Sequence, residues 1–160
     1  MKKDNLYMRQ ALKQAEYARD EGEVPIGSVI VYQGKVIAKS YNQVERLKDP
    51  TAHAEILAIT QAASYLKVKW LKKCRLYVTV EPCSMCAGAL ILARIDKVVF
   101  GAVDPKTGAF GSKVDINKLG LNHNLKVKKR VLEKKCADIL KDFFKKKRKS
   151  DFNKKLINQV

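Results

Sequence analysis

The 160-residue sequence predicts a three-layer α/β fold, a mixed sheet of about five strands with helices on both faces. Three observations predict it. Apolar residues recur at helical spacing in separated segments, and short runs rich in Val, Ile and Tyr lie between them. Across residues 75–103 a strand, a short helix and a second strand follow in close succession, which implies a parallel pair joined by a crossover.

In order, residues 6–20 place Met8, Ala11, Leu12, Ala15 and Ala18 on one face, predicting a first helix capped by Asp4 or Asn5. Residues 28–32 and 35–41 are β-rich runs split at Gln33-Gly34, the pattern of a hairpin. The polar stretch 42–50 leads into a second helix, with Asp49 or Thr51 as its cap and Ile56, Leu57, Ile59, Ala63 and Leu66 as its buried face. Residues 75–80 read as a strand, 83–92 as a short helix and 97–103 as another strand. The Gly-rich, aperiodic stretch 104–112 is a loop with room for function. A weaker strand is expected at 125–131, and Leu132, Cys136, Ile139, Leu140 and Phe143 mark a final helix followed by "KKKRKS". The expected organisation is one domain over residues 1–150 and a basic, polar tail over 151–160, since 46% hydrophobic content supports a single enclosed core.

Lys and Arg number 33 against 16 Asp and Glu, a net charge of +17. Such a surplus favours a polyanionic partner, although lysines also serve as solvated helix faces. No leader follows Met1 and no apolar run reaches the roughly 18 residues of a membrane span, so a cytoplasmic location away from membranes is expected. A reducing compartment leaves the four cysteines as thiols. Cys74, ahead of a strand, and Cys136, in a helical stripe, read as small buried hydrophobes.

His53, Cys83 and Cys86 are the ligand types of a zinc site that keeps one position open for water. Cys-x-x-Cys sets two thiols on one face of a helical turn, and Pro82 suits its first turn, where unpaired N–H groups favour thiolate. The pair alone also fits a structural zinc site or a redox couple, and a lone histidine before an apolar helix is more often a cap or core residue. A closed structural site would need a fourth ligand, and His123 is the one remaining histidine. His53 and Glu55 point about 200° apart on an ideal helix, so they share a site only at a helix start. Two thiolates weaken the acidifying power of zinc, so a neighbouring carboxylate is needed to accept the water's proton and deliver it to substrate.

With "HAE" and "PCSMC" in place, the sequence resembles the zinc-dependent nucleoside and nucleobase deaminases, whose signature is His-x-Glu followed by Pro-Cys-x-x-Cys. The stretches "GEVPIG", "DPTAHAE", "LYVT", "EPCSMCAGA", "RIDKVVFGA", "KTGAFGS" and "NH" narrow the resemblance to bacterial tRNA-specific adenosine deaminases. The resemblance implies the cytidine-deaminase-like α/β/α fold, hydrolytic conversion of the wobble adenosine of a tRNA anticodon loop to inosine with release of ammonia, and a homodimer. It implies one zinc per subunit held by His53, Cys83 and Cys86, no organic cofactor, and attack by zinc-activated hydroxide with Glu55 as proton shuttle. Asn42 would hydrogen-bond the flipped base, and Val24, Pro25 and Ile26 would wall the pocket with Ala54 of "HAE". Asp104 and Lys106 would meet the sugar and phosphate of the anticodon, and Asn122, His123 and Phe144 the loop nucleotides. A small-molecule deaminase acting on cytidine, deoxycytidylate or guanine is the nearest alternative, and the charge counts against it. A non-catalytic RNA-binding zinc module is the other, and Glu55 counts against that.

Overall fold

The computed structural model describes residues 2–157, with side chains through residue 152. The order is α1 (Lys2–Asp20), β1 (Gly27–Tyr32), β2 (Lys35–Tyr41), α2 (Val44–Leu47), α3 (Ala54–Leu66), β3 (Cys74–Val80), α4 (Ser84–Leu92), β4 (Lys97–Ala102), β5 (Lys126–Lys128) and α5 (Glu133–Ile157), with a single 3-10 turn at Ile116–Leu119. The five strands form one sheet in the order β2-β1-β3-β4-β5. β1 is antiparallel to β2 and to β3, whereas β3, β4 and β5 run parallel. The mixed sheet of the expected fold class is therefore present.

Period-2 alternation decides what each face buries. Leu76 and Val78 of β3, with Val98 and Phe100 of β4, pack against α3 and α4. Tyr77 and Val99, from the alternate positions, pack against Tyr7, Met8 and Ala11 of α1 and Cys136 of α5. Cys74 and Cys136 are free, buried thiols in these two cores, as their apolar patterns predicted. The β1–β2 turn has positive φ at Gln33 (47°) and Gly34 (79°), the geometry that matches the right-handed twist of a hairpin.

Several elements depart from expectation. α3 begins at Ala54 with His53 as its N-cap, and Asp49 instead closes a turn by accepting from the Thr51 N–H and hydroxyl. Pro82 precedes the N-cap of α4 and is outside the first helical turn. The weak strand contracts to three residues because only β4 is available to pair with it. α5 runs unbroken through position 150, past the expected tail boundary, and residues 158–160 of that expected tail lie outside the described residues. No Gly or Pro follows Gly120, and lysine is a good helix former, so nothing local stops α5 when its apolar stripe ends. Phe143, expected in the core, is only half-buried.

Candidate active site

The site lies where two helix N-termini converge beyond the carboxyl ends of β3 and β4. His53 is the N-cap of α3 and Cys83 the N-cap of α4, both with extended backbone (φ −73°, ψ 151° and φ −70°, ψ 173°), and neither side chain caps its own helix. Side chains that would ordinarily satisfy helix N–H groups are thereby free to be donors elsewhere. The N-cap position also resolves the His53–Glu55 problem: His53 stands outside the helical spiral while Glu55 stands on its first turn.

His53 Nδ1 lies 3.7 Å from Cys83 Sγ and 3.5 Å from Cys86 Sγ. A tetrahedral ion with bonds of about 2.3 Å to sulfur and about 2.05 Å to nitrogen has N···S edges of about 3.6 Å, so the three donors already have the spacing that zinc requires. Among the described residues His53, Cys83 and Cys86 form the one such cluster, with all ligand atoms within 4.8 Å of one another. Among the described residues no fourth donor joins them. Hydrogen bonding from Cys86, against the opposing effect of burial and with help from His53, lowers the Cys83 thiol to about 4. Cys86, which donates to Cys83 and is buried, is pushed up. His53 is raised by its bond to Cys83. Hydrogen bonds and the positive ends of two helices thus favour the thiolate form of Cys83.

Glu55 is 4% exposed, and burial raises its carboxyl to about 7, with its backbone hydrogen bond and His53 pulling the other way. A carboxyl whose value is raised toward neutrality beside the His53–Cys83–Cys86 cluster is suited to both taking and giving a proton.

The hairpin and the loop after β4 carry the other residues singled out in the sequence. The Asn42 N–H donates to the Ile26 carbonyl at 3.0 Å, bringing Asn42 against the 24–27 segment, where Pro25 is buried and Val24 and Ile26 are half-buried. The hydroxyls of Ser28 and Ser40 donate to the Ala54 carbonyl at 2.8 and 2.6 Å, fixing the first turn of α3 on the hairpin. Asp104 is partly exposed, and its carboxylate accepts from the Lys106 and Thr107 N–H groups and the Thr107 hydroxyl, shaping the turn that carries the exposed Lys106. Phe144, 40% exposed, lines a groove with Lys106, Leu140, Lys141 and Arg148. The structure therefore joins Lys106 to Phe144. It does not bring His123 to the metal cluster: its Nε2 meets the Ile95 carbonyl at 2.7 Å, just before β4 begins and thus at the opposite end of that strand, with Asn122 exposed beside it.

Two residues not singled out from the sequence hold α2 and the loop after β4 in place. Glu23, 1% exposed, accepts from the N–H groups of Glu45 and Arg46 at 3.1 and 2.7 Å and so caps α2 behind Asn42. Glu81, 2% exposed, accepts from the N–H groups of Asp104, Phe110 and Ser112 at 3.1, 3.0 and 3.2 Å, and from the Ser112 hydroxyl. Both are embedded in the quoted motifs, "GEVPIG" and "EPCSMC", and the signal was an acid beside apolar chain. What that acid binds is decided by loops remote in sequence.

Comparison with known proteins places this geometry. Residues 2–148 match the family model of MafB19-like deaminases, a match that ends inside α5. The tRNA-specific adenosine deaminase of Aquifex aeolicus (strain VF5) is 48% identical over 143 residues, 89% of this chain and 94% of the relative. That of Bacillus subtilis (strain 168) is 45% identical over 150 residues, 93% of each. A solved structure from studies of A-to-I editing by tRNA:A34 deaminases superposes with a TM-score of 0.82 at 44% identity, covering 84% of this chain and 98% of that one. With near-complete coverage in both directions and a His-Cys-Cys cluster beside a buried glutamate, the chain belongs to the family of tRNA-specific adenosine deaminases.

Proposed function

We propose that this enzyme hydrolyses the wobble adenosine of a tRNA anticodon loop to inosine, and that His53, Cys83 and Cys86 hold one zinc ion for the purpose. The observation that carries the reading is a three-donor cluster of tetrahedral spacing with a buried carboxylate, Glu55, that is not one of the donors. Zinc, when bound, supplies Lewis acidity that makes water a better nucleophile. The protein supplies the rest. Glu55 accepts the proton of the attacking water and gives it to the purine ring nitrogen. Water's oxygen adds at the carbon bearing the amino group, Glu55 then carries the second proton, from the added hydroxyl, to that amino group, and the C–N bond breaks as the C=O forms, so adenosine and water become inosine and ammonia.

Asn42 holds the edge of the flipped base, with Val24, Pro25, Ile26 and Ala54 enclosing it and excluding water. Asp104 and Lys106 face the sugar and phosphate, and Phe144 extends that wall with an aromatic face. Asn122 is the exposed member of the Asn-His pair and the one able to meet RNA, with His123 fixing the loop beneath it. The net charge of +17 fits a polyanionic substrate and is surplus to any free base or nucleoside.

Residues 1–150 act as one deaminase domain in this reading, and the enzyme works as a homodimer in the cytoplasm. The outer face of α4 supports pairing: Met85, Gly88 and Ala89 are partly exposed and Leu92 is 78% exposed, an apolar stripe at helical spacing. No helix among the described residues is long and apolar enough to cross a membrane. The test is incubation of purified, zinc-loaded protein with an anticodon stem-loop, sequencing for inosine, beside free cytidine and guanine. Inosine at the wobble position with neither small molecule consumed is expected; turnover of cytidine or guanine alone overturns the reading.

A further inference from the structure

The hairpin face that packs on α3 changes chemistry where it meets the start of that helix. Alternation places Ser28 on the same face as Ile30 in β1, and Ser40 on the same face as Ala38 in β2, and the register sets Ser28 opposite Ser40 and Ile30 opposite Ala38. Ile30 and Ala38 share the apolar core with Ala58 and Ala62 of α3. One turn earlier on the same stripe is Ala54, and all three alanines are fully buried, small enough to let helix and sheet backbones approach closely. Ser28 and Ser40 are 0% and 2% exposed, so two hydroxyls stand where the row would otherwise continue as apolar side chains.

Both hydroxyls converge on one atom. They meet the Ala54 carbonyl oxygen at 2.8 and 2.6 Å, and their own oxygens stand 3.0 Å apart. A hydroxyl carries one proton, so with both aimed at the carbonyl neither is left to bridge the pair. That carbonyl belongs to the first residue of α3, where an intrahelical N–H four residues on is its partner, and the orphan carbonyls of a helix lie at its other end. Satisfying the backbone therefore does not require the serines, and burying them carries a desolvation cost that an apolar pair would avoid. What they fix is the orientation of a peptide plane. The Ala54–Glu55 unit is planar, so holding its oxygen also sets the direction of the Glu55 N–H at its other end, and the Glu55 carboxyl accepts from that N–H.

We infer that Ser28 and Ser40 are paired positioning residues which, through the Ala54–Glu55 peptide, hold the Glu55 carboxyl in its aim beside the His53–Cys83–Cys86 cluster. The inference rests on the editing reading above. Two O–H donors on the oxygen polarise the peptide and make its N–H a firmer donor, so the Glu55 side chain is held from a fixed direction. Two donors also make the clamp redundant: one hydroxyl still holds the plane when the other is lost, and losing both releases it. A displacement of about 1 Å in a reacting group can cost roughly 10²-fold in rate, so a clamp outside the site can govern turnover without touching substrate.

The experiment uses full-length, zinc-loaded S28A, S40A and S28A/S40A proteins. Y7F is the control, because the Tyr7 hydroxyl donates to the Gly34 carbonyl at 2.8 Å at the turn end of the same hairpin. Inosine formation from an anticodon stem-loop and zinc content are measured for each. The single variants are expected to lower kcat about two- to five-fold and the double variant roughly 100-fold, more than the product of the singles, with KM within about two-fold of wild type and zinc content unchanged. Y7F should keep the wild-type kcat. A spectroscopic readout follows the clamp itself: protein carrying carbon-13 at alanine carbonyls and nitrogen-15 in glutamate reports only the two Ala–Glu peptides, Ala15–Glu16 and Ala54–Glu55, and E16Q removes the first. The Ala54 carbonyl signal should move upfield as each hydroxyl is removed. A folded double variant with wild-type kcat, a raised KM with kcat unchanged, or an Ala54 signal that stays in place overturns the inference. Should the double variant not fold, the singles decide: lost kcat together with a displaced Ala54 signal supports the inference, and anything less overturns it. Wild-type protein that makes no inosine overturns the editing reading and this inference with it, whereas wild-type editing beside an equally active double variant overturns the inference alone.

Discussion

Two buried glutamates flank the His53–Cys83–Cys86 cluster in opposite surroundings. Glu55, on the first turn of α3, is raised to about 7 by burial, whereas Glu81, at the end of β3, has its carboxylate filled by four donors from the loop that follows β4. Both are under 5% exposed. Burial alone therefore does not mark a catalytic acid. What separates them is what meets the oxygens: Glu81 is held by four donors from a remote loop, whereas Glu55 is met by its own backbone N–H and by Cys86 of the cluster, within reach of the groups it would serve.

The largest effect that tests this contrast is at Glu55. Glu55→Gln is expected to lower the rate of inosine formation by roughly 10²- to 10⁴-fold while metal content, measured by atomic absorption, stays at one zinc per chain. Loss of zinc in that variant would make Glu55 a ligand and end the contrast. Chelation of the wild-type enzyme is expected to abolish turnover equally, through the other half of the machinery.

Next in size is Glu81→Ala, which leaves the loop's donors without their acceptor and should cost about 3 kcal/mol in denaturant unfolding. Because that loop carries Asp104 and Lys106, KM should rise more than kcat falls, and Glu81→Gln, which keeps one acceptor oxygen, should recover part of both. A kcat collapse with KM unchanged would make Glu81 part of the chemistry.

The smallest effect sits at Asp4, remote from the site, which accepts from the Tyr77 hydroxyl at 2.7 Å and Lys128 Nζ at 2.6 Å. Burial raises its carboxyl, but the bonds from Lys128 and Tyr77 outweigh it and hold the group below the ordinary carboxylate range. A depressed folded-state value means that the stabilisation is present above the unfolded carboxylate value and is lost as pH falls through the folded one. Asp4→Asn should therefore cost roughly 1 kcal/mol at neutral pH, discounted because Lys128 is partly solvated, and the difference from wild type should vanish in acid. A difference that persists below that window would mean that the pair stabilises through packing instead of charge.

Much of this was legible in the residues. Helical and strand periods located every strand and four of the helices, because burial on one face leaves a repeating mark that needs no partner to be seen. The four-residue α2 left no such mark, having no buried residue. The clustering of His53, Cys83 and Cys86 was legible too, since their residue types carry chemistry and Cys-x-x-Cys fixes its own geometry within one turn. His53 was harder: as an apparent pre-helical residue it competed with Asp49 and Thr51 for the cap, and only the chain path through the Asp49–Thr51 turn made it the N-cap.

By itself, then, the sequence determined the layers, the donors and the excess of positive charge, all properties that reside in local pattern or in composition. Tertiary structure alone decided that Glu81 and Glu23 are tethers, that Ser28 and Ser40 clamp the Ala54 carbonyl, that His123 faces Ile95, and that one side of α5 joins Lys106. The physical reason is common to all of them: a hydrogen bond or a shared groove is a relation between two places in space, and a side chain's own identity does not say which distant backbone group will arrive to meet it.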